Sequence, residues 1–400
     1  MIHAQAQGGP LEEAELRAWL RLILTPQIGG VTARRLLAAL GGPQAVFDAE
    51  PRDLSALLAP DDLEALCCPP EGLDAAVSAT QGWLAAADPA EGARHVLSLA
   101  DPRYPQALLQ IDNPPLLLFA LGELAWLDTP GVAIVGSRHA TAQGLDHARA
   151  FAQALAEAGL TVVSGLADGI DAAAHEGALQ AAEAGGKLPG LGGSTIAVVG
   201  TGLDRVYPRK NAALARRIAR QGLLLSEFLL GTPPLPPNFP RRNRIVAALG
   251  RGTLVVEAAL QSGSLITARL AADLGREVLA IPGSIHAPQS RGCHALIKQG
   301  AQLVESAADV LDALAWGGVP RSVGGAAPGV SPTGGAEPAD PGGADDPVLA
   351  AMGHDPVSQD ALSARTGLGP AELGARLLEL ELDGRVARLP GQLFQRRGRA

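Results

Sequence analysis

From Gly131 onward, short apolar runs alternate with amphipathic stretches that are long enough to form helices. The apolar runs predict strands at Val132–Val135, Thr161–Val163, Thr195–Val199, Leu223–Leu225, Thr253–Val256 and Glu277–Ile281. Strands that are apolar throughout need cover on both faces, so the pattern predicts a parallel sheet between two helical layers. We therefore expect a doubly wound, Rossmann-like α/β domain whose ligand site lies beyond the carboxyl ends of the strands, near the switch point.

The rest of the chain predicts further segments around this domain. Residues 1–95 contain short helical patterns punctuated by Gly and Pro, and the turn Thr25–Val31 resembles a helix-hairpin-helix element, although a plain helical turn is at least as good an interpretation. The Rossmann-like domain is expected over residues 96–317. Residues 318–346 are rich in Gly, Pro, Ala and Asp, which predicts a disordered linker. In residues 347–400, three helical patterns and a hairpin outline a winged helix.

Charge is segregated along the chain. The net charge of −9 argues against binding a polyanion, because nucleic acids are held largely by Lys and Arg. However, residues 1–130 hold seven Lys and Arg against 17 Asp and Glu, whereas residues 204–251 hold ten against two. A local basic surface is therefore compatible with the acidic average.

The cysteines and the N-terminus indicate a reducing, intracellular setting. Cys67 and Cys68 are adjacent and Cys293 is distant, which is neither a disulfide framework nor a paired zinc motif. The first ten residues lack the pattern of a signal peptide, and no apolar run reaches the roughly 18 residues of a membrane helix. We expect a cytoplasmic protein without membrane insertion.

The first candidate site follows the strand that ends at Val135. Gly136, Ser137 and Arg138 stand just before a helix that is expected to start near Thr141. Glycine allows close approach of a ligand, the helix N-terminus presents amides, and arginine is a bidentate donor, so this turn predicts a phosphate cradle. The sequence has neither the dinucleotide fingerprint nor a Walker A loop, so nucleotide hydrolysis is not expected.

A second strand leads into another Gly turn. Ser164 and Gly165 are expected to line the same crevice as Gly136. Asp171 and His175 lie one helical turn apart, and we expect them to hydrogen-bond each other and fix the loop rather than hold a metal ion. Further on, the Gly-rich stretch 181–194 predicts an exposed, flexible insertion.

Two basic segments are expected at the same edge of the sheet. Their candidate residues are Arg205 and Lys210 in one loop, and Phe239, Arg241, Arg242, Asn243 and Arg244 in the next. An aromatic ring beside arginines suits a single strand, because bases stack on the ring at about 1–3 kcal/mol each while guanidiniums hold phosphates. A solvated charged face or a core contact explains any one residue, but three basic loops at one edge, counting the loop of Arg138, favour nucleic-acid binding.

The last motif again opens a helix after a strand. Ser262, Gly263 and Ser264 offer hydroxyls and amides that suit a phosphate or sugar. Cys293 is expected to be a buried small residue and not a nucleophile. We expect no catalytic group, metal ion or cofactor.

In order along the chain, these motifs resemble those of the DNA-processing protein A (DprA, also called Smf) family over about Tyr104 to Leu314. The matching segments are GSR, SGLADGIDAAAH, GTGLDRVYP, FPRRNRIVAAL, VVEAALQSGSLITARLA, and IPGSI followed by RGCHALIKQGA. The resemblance implies a Rossmann-like domain that forms a homodimer, binds single-stranded DNA without strong sequence preference, and helps to load RecA onto it in natural transformation and recombination.

The resemblance also assigns roles to residues. The family's phosphate-holding loop corresponds to Gly136, Ser137 and Arg138, and its second basic loop to Phe239 and the arginines at 241, 242 and 244. Thr141 and Gln143 stand where the family commonly has Ser and an aromatic residue, a mild departure.

Two other functions remain open. One is a nucleoside monophosphate N-glycosidase that uses Glu257, although the Pro-Gly-Gly-x-Gly-Thr-x-x-Glu pattern expected of such enzymes is absent. The other is a transcription factor acting through the winged helix. Its recognition helix, Pro370–Asp383, carries Arg376 against Glu372, Glu379, Glu381 and Asp383, which is a poor surface for a DNA groove. A protein-contact role suits that domain better.

Overall fold

The computed structural model describes residues 11–86, 91–185, 194–285, 287–316, 346–352 and 356–397. Within these ranges, no helix combines the length and the apolar character needed to cross a membrane. The predicted linker, apart from Asp346, lies outside the described residues.

The N-terminal part of the chain is helical and packs directly on the sheet that follows. Trp19 and Leu20 form a cluster with Val77 and Phe119, and the rings of Trp83 and Phe119 meet edge to face at 6.1 Å. The helices of this region are α1 (Glu13–Leu24), α2 (Gly30–Leu40), α3 (Pro43–Asp48), α4 (Pro51–Ser55), α5 (Pro60–Cys67) and α6 (Leu73–Ala85).

The central region is one mixed sheet. Its strands are β1 (Arg94–Ser98), β2 (Leu117–Gly122), β3 (Gly131–Val135), β4 (Thr161–Ser164), β5 (Thr195–Val198), β6 (Leu223–Ser226), β7 (Gly250–Val255), β8 (Glu277–Ala280) and β9 (Gln302–Leu303). Among the described residues the order is β1-β2-β6-β5-β4-β3-β7-β8-β9, and β3 to β9 run parallel. The order reverses between β3 and β7, which makes this the switch point. The predicted doubly wound, Rossmann-like fold is confirmed.

Helices cover both faces of this sheet. Alternate residues of β3 point to opposite sides: Val132 and Ile134 pack with α7 and α8, whereas Ala133 and Val135 share a cluster with α10. This two-sided burial is the reason that the strand sequences are apolar throughout. The helices are α7 (Ala142–Glu157), α8 (Ile170–Gly185), α9 (Ala212–Gln221), α10 (Asn238–Leu249), α11 (Ser264–Asp273), α12 (Arg291–Lys298) and α13 (Ala307–Ala313), with short 3-10 turns at Gln106–Gln110, Leu124–Leu127, Arg209–Asn211 and Pro288–Ser290.

Two features of the sheet region differ from expectation. β1 and β2 add an antiparallel edge that was not predicted, and β1 begins at Arg94, so the sheet includes residues on both sides of the predicted boundary at 95. The Gly-rich insertion was predicted to begin at Ala181, but α8 continues through Gly185 and Ala181 is buried. That part of the prediction is wrong because alanine-rich sequence extends the helix. Residues 186–193 lie outside the described residues.

The C-terminal part is a winged helix with its own core. Leu373 and Leu377 of the third helix pack with Val386 and Phe394 of the hairpin. Asp346 accepts a hydrogen bond from the Val348 amide at 2.9 Å. The elements are α14 (Pro347–Met352), β10 (Val357–Ser358), α15 (Gln359–Thr366), α16 (Pro370–Leu382), β11 (Val386–Leu389) and β12 (Leu393–Arg396).

Close packing of α7 against α8 gives a first testable prediction. A Cβ at Gly177 would lie 2.2 Å from the Arg149 carbonyl oxygen, whereas a Cβ at Gly82 in α6 would meet nothing within 4 Å. We expect Gly177→Ala to lower the free energy of unfolding by roughly 1–3 kcal/mol because backbone must move. Gly82→Ala should raise it by about 0.5–1 kcal/mol. Urea denaturation followed by circular dichroism measures both, and equal stability of the two variants would contradict the packing.

Candidate nucleic-acid interface

A crevice of about 670 Å³ opens at the carboxyl ends of β3 and β7, on either side of the switch point. The first turn of α11 and one face of α10 complete its walls. The predicted site residues that line it are Gly136, Ser137, Arg138, Gly165, Phe239, Arg242, Asn243, Ser262, Gly263 and Ser264. The structure therefore brings together predicted residues from four of the five sequence motifs, and Tyr207 of the remaining motif also lines the crevice.

One end of the crevice combines a cation with two aromatic rings. The Arg138 guanidinium lies 5.6 Å from the centre of the Phe239 ring, and the Tyr207 and Phe239 rings are 5.6 Å apart at a 42° tilt. Arg138 is exposed and has no carboxylate partner among the described residues, and Tyr207 is 44% exposed. Tyr207 was not among the predicted site residues, although it stands in the GTGLDRVYP motif. This end offers a free positive charge beside accessible ring surface.

The start of α7 is not the open phosphate cradle that was expected. The Glu257 carboxylate accepts hydrogen bonds from the Thr141 amide at 2.9 Å and from the Thr141 hydroxyl at 2.5 Å. The Glu257 carbonyl also accepts from the Ser137 amide at 2.7 Å. A carboxylate of the chain itself thus occupies the positive end of the helix. That prediction is wrong in this respect, and Arg138 is left as the exposed cation of the loop.

Arg242 forms the floor of the crevice. Its side chain is buried, with 4% of the residue exposed, and it donates to the carbonyl oxygens of Gly165 and Val198. Burial lowers the pKa of Arg242 to about 10, against the attraction of Asp171, so the guanidinium stays charged at neutral pH. Its Nε is buried without a partner among the described residues.

The other arginines of this motif point elsewhere. Arg244 and Arg241 both contact Glu227, at 2.5 and 3.3 Å, and the Glu227 side chain is only 3% exposed. Burial raises the pKa of Glu227, and the two guanidiniums oppose that shift. Neither arginine lines the crevice. The three arginines separate because α10 turns successive residues onto different faces.

The remaining predicted residues lie beside the crevice rather than in it. Arg205 pairs with Asp204 at 2.9 Å, and Lys210 pairs with Asp168 at 3.0 Å. Lys210 and Arg138 line an adjoining cavity of about 290 Å³. Ser164 is buried, and its hydroxyl donates to the Ile134 carbonyl at 2.6 Å, which ties β4 to β3.

A strained loop forms the wall between these cavities. Leu166 is buried at a φ of +56°, a conformation that non-glycine residues rarely adopt. Its amide donates to His175 Nε2 at 3.3 Å, and its carbonyl accepts from Asn211 at 3.0 Å. Such strain persists where surrounding contacts over-determine the backbone.

The predicted hydrogen bond between Asp171 and His175 is wrong. His175 Nδ1 lies 2.6 Å from the Thr195 hydroxyl, whereas Asp171 accepts from the Ala167 amide at 3.4 Å. Each side chain fixes the loop separately. Burial, with a smaller contribution from Arg242, lowers the pKa of His175 to about 3, so the ring is neutral and its Nε2 can accept.

The other end of the crevice is rich in hydroxyls and amides. Asn243 approaches the Gly263 carbonyl at 3.5 Å, and the hydroxyls of Ser262 and Ser264 are 2.7 Å apart. Cys293 is fully buried, as predicted, and burial raises its pKa to about 12. Within the described ranges, no group of three or more His, Cys, Asp and Glu side chains is placed to hold a metal ion.

Fold and crevice define a Rossmann-like protein with a crevice at its switch point and a winged helix after it. Residues 95–315 match the family model of the DNA recombination-mediator protein A, and residues 332–392 match the DprA winged helix domain. The chain belongs to the DNA recombination-mediator protein A family, which confirms the resemblance seen in the motifs.

Curated relatives and a solved structure agree with this assignment. Protein Smf of Escherichia coli K12 is 42% identical over 303 residues, covering 74% of this chain and 76% of the relative. The DNA processing protein DprA of Streptococcus pneumoniae R6 is 50% identical over 214 residues, covering 54% of this chain and 72% of the relative. The X-ray structure of DprA from Streptococcus pneumoniae matches with a TM-score of 0.61 at 37% identity, over 76% of this chain and 98% of that one.

The buried position of Arg242 predicts a large structural effect of its removal. Arg242→Met leaves two carbonyl oxygens without their donor and the buried Asp171 without a countercharge, so we expect the free energy of unfolding to fall by about 3–5 kcal/mol. The matched variant Arg241→Met removes an exposed cation from a carboxylate that Arg244 still contacts, and should cost about 1 kcal/mol or less. Urea denaturation of both proteins tests this; similar losses would show that Arg242 is not buried as described.

His175 predicts a specific pH dependence. Because its pKa is about 3 in the folded protein and 6.5 in the reference state, the unfolded chain binds a proton that the folded chain excludes. Stability contributed by this group is therefore present above pH 6.5 and is lost as the pH falls toward 3. Between pH 7 and 5.5 the loss is about 1 kcal/mol. Urea denaturation at both pH values should show this loss in wild type and not in His175→Gln, and an unchanged pH dependence would refute the assignment.

Proposed function

We propose that this protein binds single-stranded DNA in the switch-point crevice and loads RecA recombinase onto it during natural transformation and recombination. The observation that carries the proposal is the unpaired Arg138 guanidinium over the Phe239 ring, with Tyr207 beside it. The Arg138 guanidinium lies 5.6 Å from the centre of the Phe239 ring, so the phosphate and the base of one nucleotide can reach both groups. This combination is typical of proteins that hold single strands.

The aromatic end favours a single strand over a duplex. A base can stack on the Phe239 or Tyr207 ring only after it has left the stack of its neighbouring bases. In a duplex this step costs the energy of unpairing and unstacking, whereas a single strand has no base pair to break. Phosphate contacts alone would not discriminate between the two. The hydroxyl-rich end at Ser262 and Ser264 then suits the sugar or phosphate of a neighbouring nucleotide.

The electrostatic part of binding should be modest. Many cations near the crevice are already paired, including Arg205, Lys210, Arg241 and Arg244. Arg138 is exposed without a carboxylate partner, and Arg242 is charged but buried. Few phosphates are then neutralised, so the salt dependence should be shallower than that of a highly basic protein.

The partner and assembly assignments rest on family membership. We propose that two copies associate through their Rossmann-like domains and that RecA receives the strand from this assembly. Two crevices on one dimer would hold a strand at two points and raise the effective concentration of the second contact.

Binding without catalysis is part of the proposal. The glycosidase alternative needs Glu257 as its acid or base, yet that carboxylate caps α7 through Thr141 and is not among the described residues that line the crevice. The carboxylate that does line the crevice, Asp171, is buried and accepts from the Ala167 amide. This arrangement supports a binding site.

Fluorescence anisotropy with labelled oligonucleotides tests the proposal. For single strands, Arg138→Ala should weaken binding and lower the magnitude of the slope of log K against log salt by about 0.7, the value for one lost phosphate contact. Phe239→Ala should weaken binding by about 1–3 kcal/mol with the salt slope unchanged. Duplex should bind more weakly than single strands of equal length.

Arg220→Ala is the matched control. Arg220 is an exposed arginine near the end of α9, which leads into the start of β6 and so lies at the opposite edge of the sheet from the crevice. This variant should bind like wild type. If Arg220→Ala and Arg138→Ala weaken binding equally, the crevice is not the site, and hydrolysis of nucleoside monophosphates becomes the next activity to assay.

A further inference from the structure

The outward face of α16 carries an apolar stripe. Ala371, Ala375, Leu378 and Leu382 are all exposed, with Leu378 at 56% and Leu382 at 80%. Their spacing of four, three and four residues places them on one side of the helix. The opposite side, which includes Leu373 and Leu377, is buried in the core of the winged helix. The stripe is therefore not needed for folding of this domain.

Acidic side chains border the stripe. Helical geometry places Glu372 and Glu379 along one edge and Glu381 along the other. Glu379 is paired with Arg376, which also contacts Asp346. Glu372 and Glu381 have no ionic partner among the described residues. The helix thus presents apolar residues with acidic residues on both sides.

We propose that this stripe is a docking surface for an amphipathic helix of another protein, one whose apolar residues are flanked by Lys and Arg. Helix pairing buries stripes of this spacing, and opposite charges at the flanking positions select the partner. The surface is separate from the crevice, so it goes beyond the DNA-binding proposal and does not depend on it.

Charge and composition exclude the other occupants. A DNA groove would meet acidic residues where arginines and lysines are needed. A second copy of α16, parallel or antiparallel, would bring glutamates against glutamates. Residues 318–345 of the same chain contain no large apolar side chains beyond valine, so they cannot fill a leucine stripe.

A pair of synthetic helical peptides provides the probe. One labelled peptide carries leucines at the same four-three-four spacing with lysines at the flanking positions, and the other has glutamates in place of the lysines. Anisotropy with the full chain should show binding of the lysine peptide and none of the glutamate peptide.

Two variants separate docking from general attraction between charges. Leu382→Glu should weaken binding of the lysine peptide by about tenfold or more, because it removes a leucine contact, even though the added negative charge attracts lysine. Val31→Glu adds the same charge at an apolar residue of α2 that is 69% exposed, and should bind like wild type. Both substitutions are at exposed positions, so both variants should fold, and circular dichroism checks that they do.

Three results would overturn the proposal. Equal or tighter binding of the lysine peptide by Leu382→Glu would show attraction by charge alone, and failure of wild type to bind it would exclude the partner chemistry. A dimer of wild type that Leu382→Glu dissociates, measured by light scattering, would assign the stripe to a second copy. Loss of duplex DNA binding in Leu382→Glu would assign it to DNA.

Discussion

The buried guanidinium of Arg242 is the interaction on which the site depends. It joins α10 to the carboxyl ends of β4 and β5 through the carbonyls of Gly165 and Val198, with Asp171 as its nearest countercharge. A Cβ at Gly165 would lie 2.6 Å from the guanidinium nitrogens, so glycine is required there. Because a buried charge without partners is very costly, this arrangement fixes the loop ends in one geometry. Phe239, one turn earlier on α10, is thereby held opposite the β3 loop and under Arg138.

The arginines of this region divide into structural and exposed groups. Arg242 and Arg244 are buried or nearly so and hold backbone and Glu227, whereas Arg138 remains free at the crevice. Local sequence charge therefore overstates the charge available to a ligand. This division also shows how a chain with a net charge of −9 can present a free cation beside aromatic surface at the crevice.

The sequence predicted the sheet well because period and composition determine strands directly. All six predicted strands are present within three residues at either end. β1 and β2 were missed because the strands of this antiparallel edge pair do not alternate with helices, which is the pattern that identified the other strands. Side-chain direction was less predictable: the cap formed by Glu257 on Thr141, the pairing of Arg241 and Arg244 with Glu227, and the separation of Asp171 from His175 are tertiary contacts between distant segments. The spacing of the motifs predicted that these residues lie at the same edge of the sheet, but it did not predict which side chains they contact.

Hydrogen exchange of the full chain, with and without a single-stranded oligonucleotide, tests the central claim most directly. The account predicts slower amide exchange in the loops at residues 136–140 and 259–264 and at the start of α10, because these surround the crevice. Amides of α9 beyond its first turn and of α16 should exchange at the same rate in both samples. Protection confined to α16 or to the helices of residues 11–86, with the crevice loops unchanged, would contradict it.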